Sequence, residues 1–245
     1  MRFGSIALWV LIGFFLTACP AQAAAFVPPW CAAGDNKVAL SSDGLWILAA
    51  DASPGSFTLY DRALHPVRGY TAATLDGKMV SPLITVYDAP LRRSFLVALP
   101  GIAELWEVSY DTQAEPIFDG LVHDYRMGEG LAKPGYFGVR RTKIPVPWSD
   151  LYFTDDGRNV VALSEAPAPA PAADKALAAA SGTSVVSARV INLDIRREMV
   201  TVVLAAKPNS ATDFMVVSGD KRWHATPANR QRADAHEVLL RYCTP

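Results

Sequence analysis

Residues 37–61 decide the fold class: Lys37-Val38-Ala39-Leu40, then Ser41-Ser42-Asp43-Gly44, then Leu45-Trp46-Ile47-Leu48-Ala49-Ala50, then a turn at Pro54-Gly55, then Phe57-Thr58-Leu59-Tyr60-Asp61. β-branched and aromatic runs of four to six residues alternate with turn residues, so the stretch predicts strand, tight turn, strand, turn, strand. The Ser-x-Asp-Gly step explains the first reversal. It supplies a side-chain acceptor for the turn and a glycine able to take positive φ, which lets the flanking strands fold back as a hairpin.

The same grammar recurs. Pro82–Tyr87, a turn at Asp88-Ala89-Pro90, Ser94–Leu99 and Ala103–Asp111 form a second unit. Asp150–Phe153, a turn at Thr154-Asp155-Asp156-Gly157, Asn159–Leu163 and Ala188–Asp194 form a third. A fourth is expected from Asp213–Val217, Ser218-Gly219-Asp220, Lys221–Ala225 and His236–Tyr242. Fourth strands are predicted at Val67–Tyr70, Arg140–Ile144 and Met199–Leu204. Four antiparallel strands repeated every 40 to 50 residues or so, as in WD40- or YVTN-type repeats, predict an all-β, β-propeller-like fold of about four blade units. Residues 24–245 give about 55 residues per unit, enough for a small closed ring, an open arc completed by another chain, or a shortened descendant of a larger ring. An open arc would expose two apolar sheet faces.

The 245 residues are 51% hydrophobic, with 23 basic against 24 acidic side chains, which excludes a disordered chain and argues against a nucleic-acid binder. Arg2 precedes an apolar run from Ile6 to Ala18, followed by Ala21-Gln22-Ala23, which predicts a signal peptide over residues 1–23 and a periplasmic or secreted protein. Leu16-Thr17-Ala18-Cys19 also reads as a lipobox, so a lipoprotein anchored through Cys19 is the competing expectation. No other stretch approaches the 18 apolar residues a spanning helix needs.

Removal of Cys19 would leave Cys31 and Cys243, an even pair expected to form a disulfide in an oxidising compartment; two unrelated buried thiols are the alternative. A bond would tie the first unit to the last and favour ring closure. Neither c-type haem attachment nor zinc-ligand spacing is present. Residues 166–187, Ala-Pro alternation followed by small residues, read as a solvated insert within the third unit.

The chemically richest segment is the long connection from Thr112 to Ser149. It holds Gly120-Leu121-Val122-His123-Asp124-Tyr125-Arg126 and, further on, Arg140-Arg141. These six side chains, His123, Asp124, Tyr125, Arg126, Arg140 and Arg141, are the candidates for ligand binding; the simplest alternative is a polar strand and solvated arginines. His224, beside Trp223, reads as a polar strand residue, and His65 and His236 have no context that raises them. Serine-hydrolase and zinc-hydrolase motifs are absent, so no catalytic or metal residues are assigned.

Residues 81–90, 94–99, 104–110 and 120–126 together resemble the cytochrome d1-type propellers, the family of the haem d1 domain of cytochrome cd1 nitrite reductase and of haem d1 biosynthesis proteins. The resemblance is clearest over residues 38–161. It implies an exported propeller, some relatives being lipid-anchored, that holds haem d1 or a related tetrapyrrole. It departs from the family in length, about half an eight-bladed ring, and in reading Ala206-Lys207-Pro208-Asn209-Ser210 where a histidine-bearing loop would stand. A binding module is therefore the expected function, with a small molecule or protein on the loop face and self-association if the ring is incomplete. The alternative is a tetrapyrrole-handling enzyme using His123 as acid/base and Arg126, Arg140 and Arg141 against propionates.

Overall fold

The computed structural model describes residues 28, 31, 37–118, 132–144, 148–167, 184–228, 238–239 and 241–243. The expected signal peptide with Cys19, residues 168–183 of the insert, and His236 lie outside them.

Two sheets of four strands come first. β1 (Val38–Leu40), β2 (Trp46–Ala50), β3 (Ser56–Asp61) and β4 (Pro66–Thr71) pair in that order as sheet 1. β5 (Thr85–Ala89), β6 (Ser94–Leu99), β7 (Glu104–Ser109) and β8 (Val139–Lys143) form sheet 2 in the same way. Every pairing is antiparallel, so each sheet is a meander.

Tight turns follow the sequence chemistry. Ser41 Oγ donates to Asp43 Oδ1 at 2.6 Å, the Leu45 N–H donates to the same carboxylate and the Trp46 N–H to Ser41 Oγ, while Gly44 takes φ +68°. Thr154, Asp156 and Gly157 repeat this after β9 (Asp150–Thr154), and Thr74, Asp76 and Gly77 build a third copy in the excursion between sheets 1 and 2. In sheet 2 a 3₁₀ turn, Pro90–Arg92, takes the place of the glycine turn, and Arg93 adopts the left-handed conformation that closes it.

The third sheet differs from expectation. β9 pairs with β10 (Asn159–Pro167), then β11 (Ser184–Asn192) and β12 (Arg197–Leu204). On its other edge β9 also pairs with β14 (Lys221–Pro227), which carries β13 (Phe214–Ser218), giving a six-stranded sheet ordered β12-β11-β10-β9-β14-β13. The described chain thus holds three sheets rather than four units: the fourth unit supplies only a hairpin added to β9. Its expected last strand is not one, since residues 238–239 are helical and 241–243 a turn. Leu239, Tyr242 and Cys243 recur at helical spacing, and their apolar side chains share a face only in a turn. The β10–β11 ladder also runs out to Pro167↔Ser184, so the ends of the expected 166–187 insert are strand.

The sheets stack face to face. Leu48, Phe57, Leu59 and Tyr70 of sheet 1 pack on Val86, Phe95, Val97, Trp106 and Val108 of sheet 2. The other face of sheet 2, with Leu96, Ala98 and Leu105, packs on Leu151, Phe153, Val160, Ala162 and Ile191 of sheet 3. With both faces covered, β6 and β7 are buried at every position; β12, with one face in solvent, alternates exposed and half-buried residues. The architecture is an all-β, propeller-like arc of radial sheets.

Both ends of the arc are covered. Sheet 3 curls so that its far face, with Tyr152, Val161, Leu163, Ala188 and Val190, encloses Val216 and Ala225 of its own added hairpin. The far face of sheet 1, with Val38, Ile47, Ala49 and Tyr60, lies under Leu239, Tyr242 and the Cys31–Cys243 bond. That disulfide is formed, with Cα atoms 5.5 Å apart across 212 residues of sequence, and contributes about 5 kcal/mol in the chain-entropy model. Among the described residues it fastens the C-terminal turn beside sheet 1 and brings no other sheet against that face, so there it caps the arc.

Candidate functional site

First and third strands of an antiparallel meander point the same way, and the contacts place their ends at one end of the stack. The turn after β1, the end of β5 and the residue after β7 meet there: Tyr110 donates from its hydroxyl to Asp88 Oδ1 at 2.8 Å and lies 2.9 Å from Ser42 Oγ. Burial, with Asp43 nearby, pushes the Asp88 carboxyl up to about 7 against the opposing effect of the Tyr110 hydrogen bond. Burial and the Asp88 charge push the Tyr110 phenol well above its usual range. Asp88 is therefore a carboxyl able to carry a proton near neutrality, held between two sheets.

The same end of sheets 2 and 3 is tied by Arg92. Its guanidinium meets Glu107 in a two-pronged pair, Nε to Oε1 at 2.8 Å and Nη2 to Oε2 at 3.1 Å, while Nη1 donates to Asp194 Oδ1 at 2.8 Å. Glu107 is almost fully buried, so this pair neutralises a charge that would otherwise be costly. Beside it a cleft of about 150 Å³ lies between the sheets, walled by Ala89, Leu91, Arg92, Phe153 and Asp155. Gly157 takes φ +63° here, and a Cβ on it would stand 2.9 Å from that of Leu91.

The sequence candidates separate. His123, Asp124, Tyr125 and Arg126 lie outside the described residues, on the 112–138 connection that leaves sheet 2 next to Tyr110. Arg140 and Arg141 are neighbours on β8 and face opposite sides of sheet 2, as strand geometry requires. Arg141 lies 4.1 Å over the Trp106 ring toward sheet 1, donates to Ala73 O at 2.7 Å and approaches Glu104 at 3.4 Å. Arg140 donates to Glu115 O at 2.7 Å, which leaves it near the start of that connection. The two do not form one clamp. His224 stands in β14 with Nδ1 2.9 Å from Asp155 Oδ1, and His65 is paired with Asp61 at 3.1 Å. Among the described residues no group of three or more His, Cys, Asp or Glu is placed to hold a metal ion, and no helix is long and apolar enough to cross a membrane.

The residues that sequence reading passed over are Asp88, Tyr110 and Ser42. Their signal is present only as three turn or strand-end residues in different units, and it takes the stacking of the sheets to bring them together.

This fold and its gathered strand ends define a propeller-type all-β protein. Its resemblance to the cytochrome d1-type propellers is borne out by comparison: residues 32–119, which span sheet 1 and the first three strands of sheet 2, match the Cytochrome D1 heme domain family. A dihydro-heme d1 dehydrogenase of Pseudomonas aeruginosa is 43% identical over 76 residues, 31% of this chain and 15% of that protein. The solved structure of dihydro-heme d1 dehydrogenase NirN in complex with DHE superposes with a TM-score of 0.48 at 26% identity, covering 73% of this chain and 30% of that one. The β-propeller domain of Myceliophteria thermophila Cps50 (Swd1) superposes with a TM-score of 0.39 at 12% identity, covering 72% and 47%. The chain thus spans less than a third of the haem d1 relatives it matches.

Proposed function

We propose that this protein is an exported binding module related to haem d1 domain proteins, taking haem d1 or a related tetrapyrrole across the strand ends that carry Ser42, Asp88 and Tyr110. The observation that carries the reading is the d1-type match, which falls on the two sheets that build this network. The neighbouring cleft, about 150 Å³, is below the roughly 300–1,000 Å³ of pockets that engulf a drug-sized ligand, so a macrocycle would lie over the open end. Such a site leaves the ligand's edge to water, which suits binding and carriage better than chemistry that needs a sealed site. Arg140 and, on the adjoining connection, Arg126 are the groups suited to propionates; His123 is the candidate iron ligand. Both described histidines already have an aspartate partner. The Cys31–Cys243 bond and the apolar N-terminal run support export, by cleavage after Ala23 or lipidation at Cys19.

An absorption titration tests the reading. Purified protein mixed with haem d1, and separately with haem b, is expected to give a saturable shifted Soret band that His123→Ala removes without loss of folding. The absence of any band in the folded protein refutes it.

A second reading, a tetrapyrrole-handling enzyme, has one observation in its favour: the Asp88 carboxyl, poised near neutrality on the Tyr110 phenol. It requires a time-dependent spectral conversion of bound tetrapyrrole that Asp88→Asn abolishes.

A further inference from the structure

The cleft between sheets 2 and 3 contains none of Ser42, Asp88 and Tyr110, and every residue that lines it is described. Its apolar wall comes from Pro90 and Leu91 in the 3₁₀ turn after β5 and from Phe153 near the end of β9. Leu91 is 74% exposed, an aliphatic side chain that the turn holds out at the rim. The volume, about 150 Å³, is that of an apolar cavity able to take a benzene-sized group.

The polar members of the wall select by charge. Arg92 is its cation, but Nε and Nη2 donate to Glu107 and Nη1 to Asp194, so two carboxylates already match its charge. Asp155 is the opposite case. Its side chain is 68% exposed, and both of its oxygens share one nitrogen, His224 Nδ1, at 2.9 and 3.0 Å. A carboxylate has about four acceptor positions, so others stay open. Thr226 of β14, half-buried in the same wall, has no hydrogen-bond partner for its hydroxyl. The cleft therefore offers acceptors to a ligand and no unmatched positive charge.

We propose that this cleft binds a small organic cation: a ring of about benzene's size between Pro90, Leu91 and Phe153, with an ammonium or amidinium group donating to Asp155 and Thr226. An ammonium makes a charge-assisted hydrogen bond to the carboxylate at the edge of an apolar slot, where the local dielectric is lowered. An alcohol of the same shape makes a neutral bond, and a carboxylate is repelled. The site is separate from the strand ends assigned to a tetrapyrrole and does not rest on that reading.

The test is a titration of the isotope-labelled protein with benzylamine at neutral pH, where the amine is charged, followed by amide chemical shifts. Benzyl alcohol and benzoate serve as isosteric controls. Benzylamine is expected to bind saturably at about millimolar concentration, with shifts centred on Ala89–Arg92, Phe153–Gly157 and Thr226. The alcohol is expected to bind at least about tenfold more weakly, and benzoate not at all. Asp155→Asn is expected to bring benzylamine down to the level of the alcohol. Leu91→Ala, at a side chain too exposed to carry the packing, is expected to weaken it several-fold with the spectrum otherwise unchanged. No saturable shift with benzylamine in the folded protein overturns the proposal, as do equal binding of the alcohol, binding of benzoate in its place, or shifts centred outside the cleft.

Discussion

Replacing Asp88 by Asn isolates the linkage between protonation and folding at the junction of sheets 1 and 2. The carboxyl is displaced from an ordinary value of 3.8 to about 7, mainly by burial, with Asp43 adding a like charge. A folded-state value above the unfolded one means that the folded chain binds the proton more tightly. The contribution is therefore complete below about pH 4 and is lost as the pH rises through about 7. The displacement corresponds to ~4 kcal/mol, at a slope approaching 1.4 kcal/mol per pH unit inside the window. The substituted asparagine keeps an oxygen for the Tyr110 hydroxyl and cannot ionise. The carboxylates of Asp61, Asp76, Asp156 and Glu198 are held below their usual range and act in the opposite sense, losing their contribution as the pH falls, but they are common to both proteins and cancel. Urea unfolding followed by tryptophan fluorescence from about pH 4 to 8 reads the difference. Asp88→Asn is expected to gain on the parent steadily across the window and to exceed it by several kcal/mol at the alkaline end. Parallel stability profiles would refute the reasoning.

Tyr110→Phe removes the donor that holds the Asp88 value down, so the midpoint of the same pH profile is expected to move upward, with about 1–2 kcal/mol of stability lost, as a parallel titration of the two proteins would show. Arg92→Ala strands buried Glu107 and unties Asp194, and is expected to cost about 3–5 kcal/mol in denaturant unfolding; an effect below about 1 kcal/mol would mean that water satisfies the carboxylate. Gly157→Ala meets both the left-handed backbone and Leu91, and a loss of about 1–3 kcal/mol in thermal unfolding is expected, against no change if the turn relaxes.

The strands and their turns were legible because their causes are local. The Ser-x-Asp-Gly and Thr-x-Asp-Gly steps fix side-chain acceptors and a positive φ within four residues, and the third copy at Thr74–Gly77 carries the same pattern. β4, β8 and β12 fall where fourth strands were expected. What the sequence hid depends on contacts between distant segments. Nothing in Lys221–Ala225 says that β14 will pair with Phe153 and Thr154 of β9 and spend the fourth unit on sheet 3. Likewise His236–Tyr242 reads as strand by composition, yet residues 238–239 are helical and 241–243 a turn where they meet the face of sheet 1. The arginines show the same limit: Arg140 and Arg141 are chemically suited to an anion as a pair, but Trp106, Glu104 and Ala73 claim Arg141 on one face of sheet 2, while Arg140 lies on the other face with one nitrogen on the Glu115 carbonyl, so the two cannot act as one clamp. Cys31 and Cys243 were paired correctly from compartment logic, while the purpose of the bond, capping an arc, became visible only with the stacking order.

The three-sheet arc is tested most directly by cross-strand nuclear Overhauser contacts in isotope-labelled protein. Phe153 is expected to show backbone contacts to Val160 on one side and to Thr226 on the other, joining the last hairpin to sheet 3. Contacts that place Thr226 in a ladder without β9 would leave the hairpin in a sheet of its own, and would contradict the account.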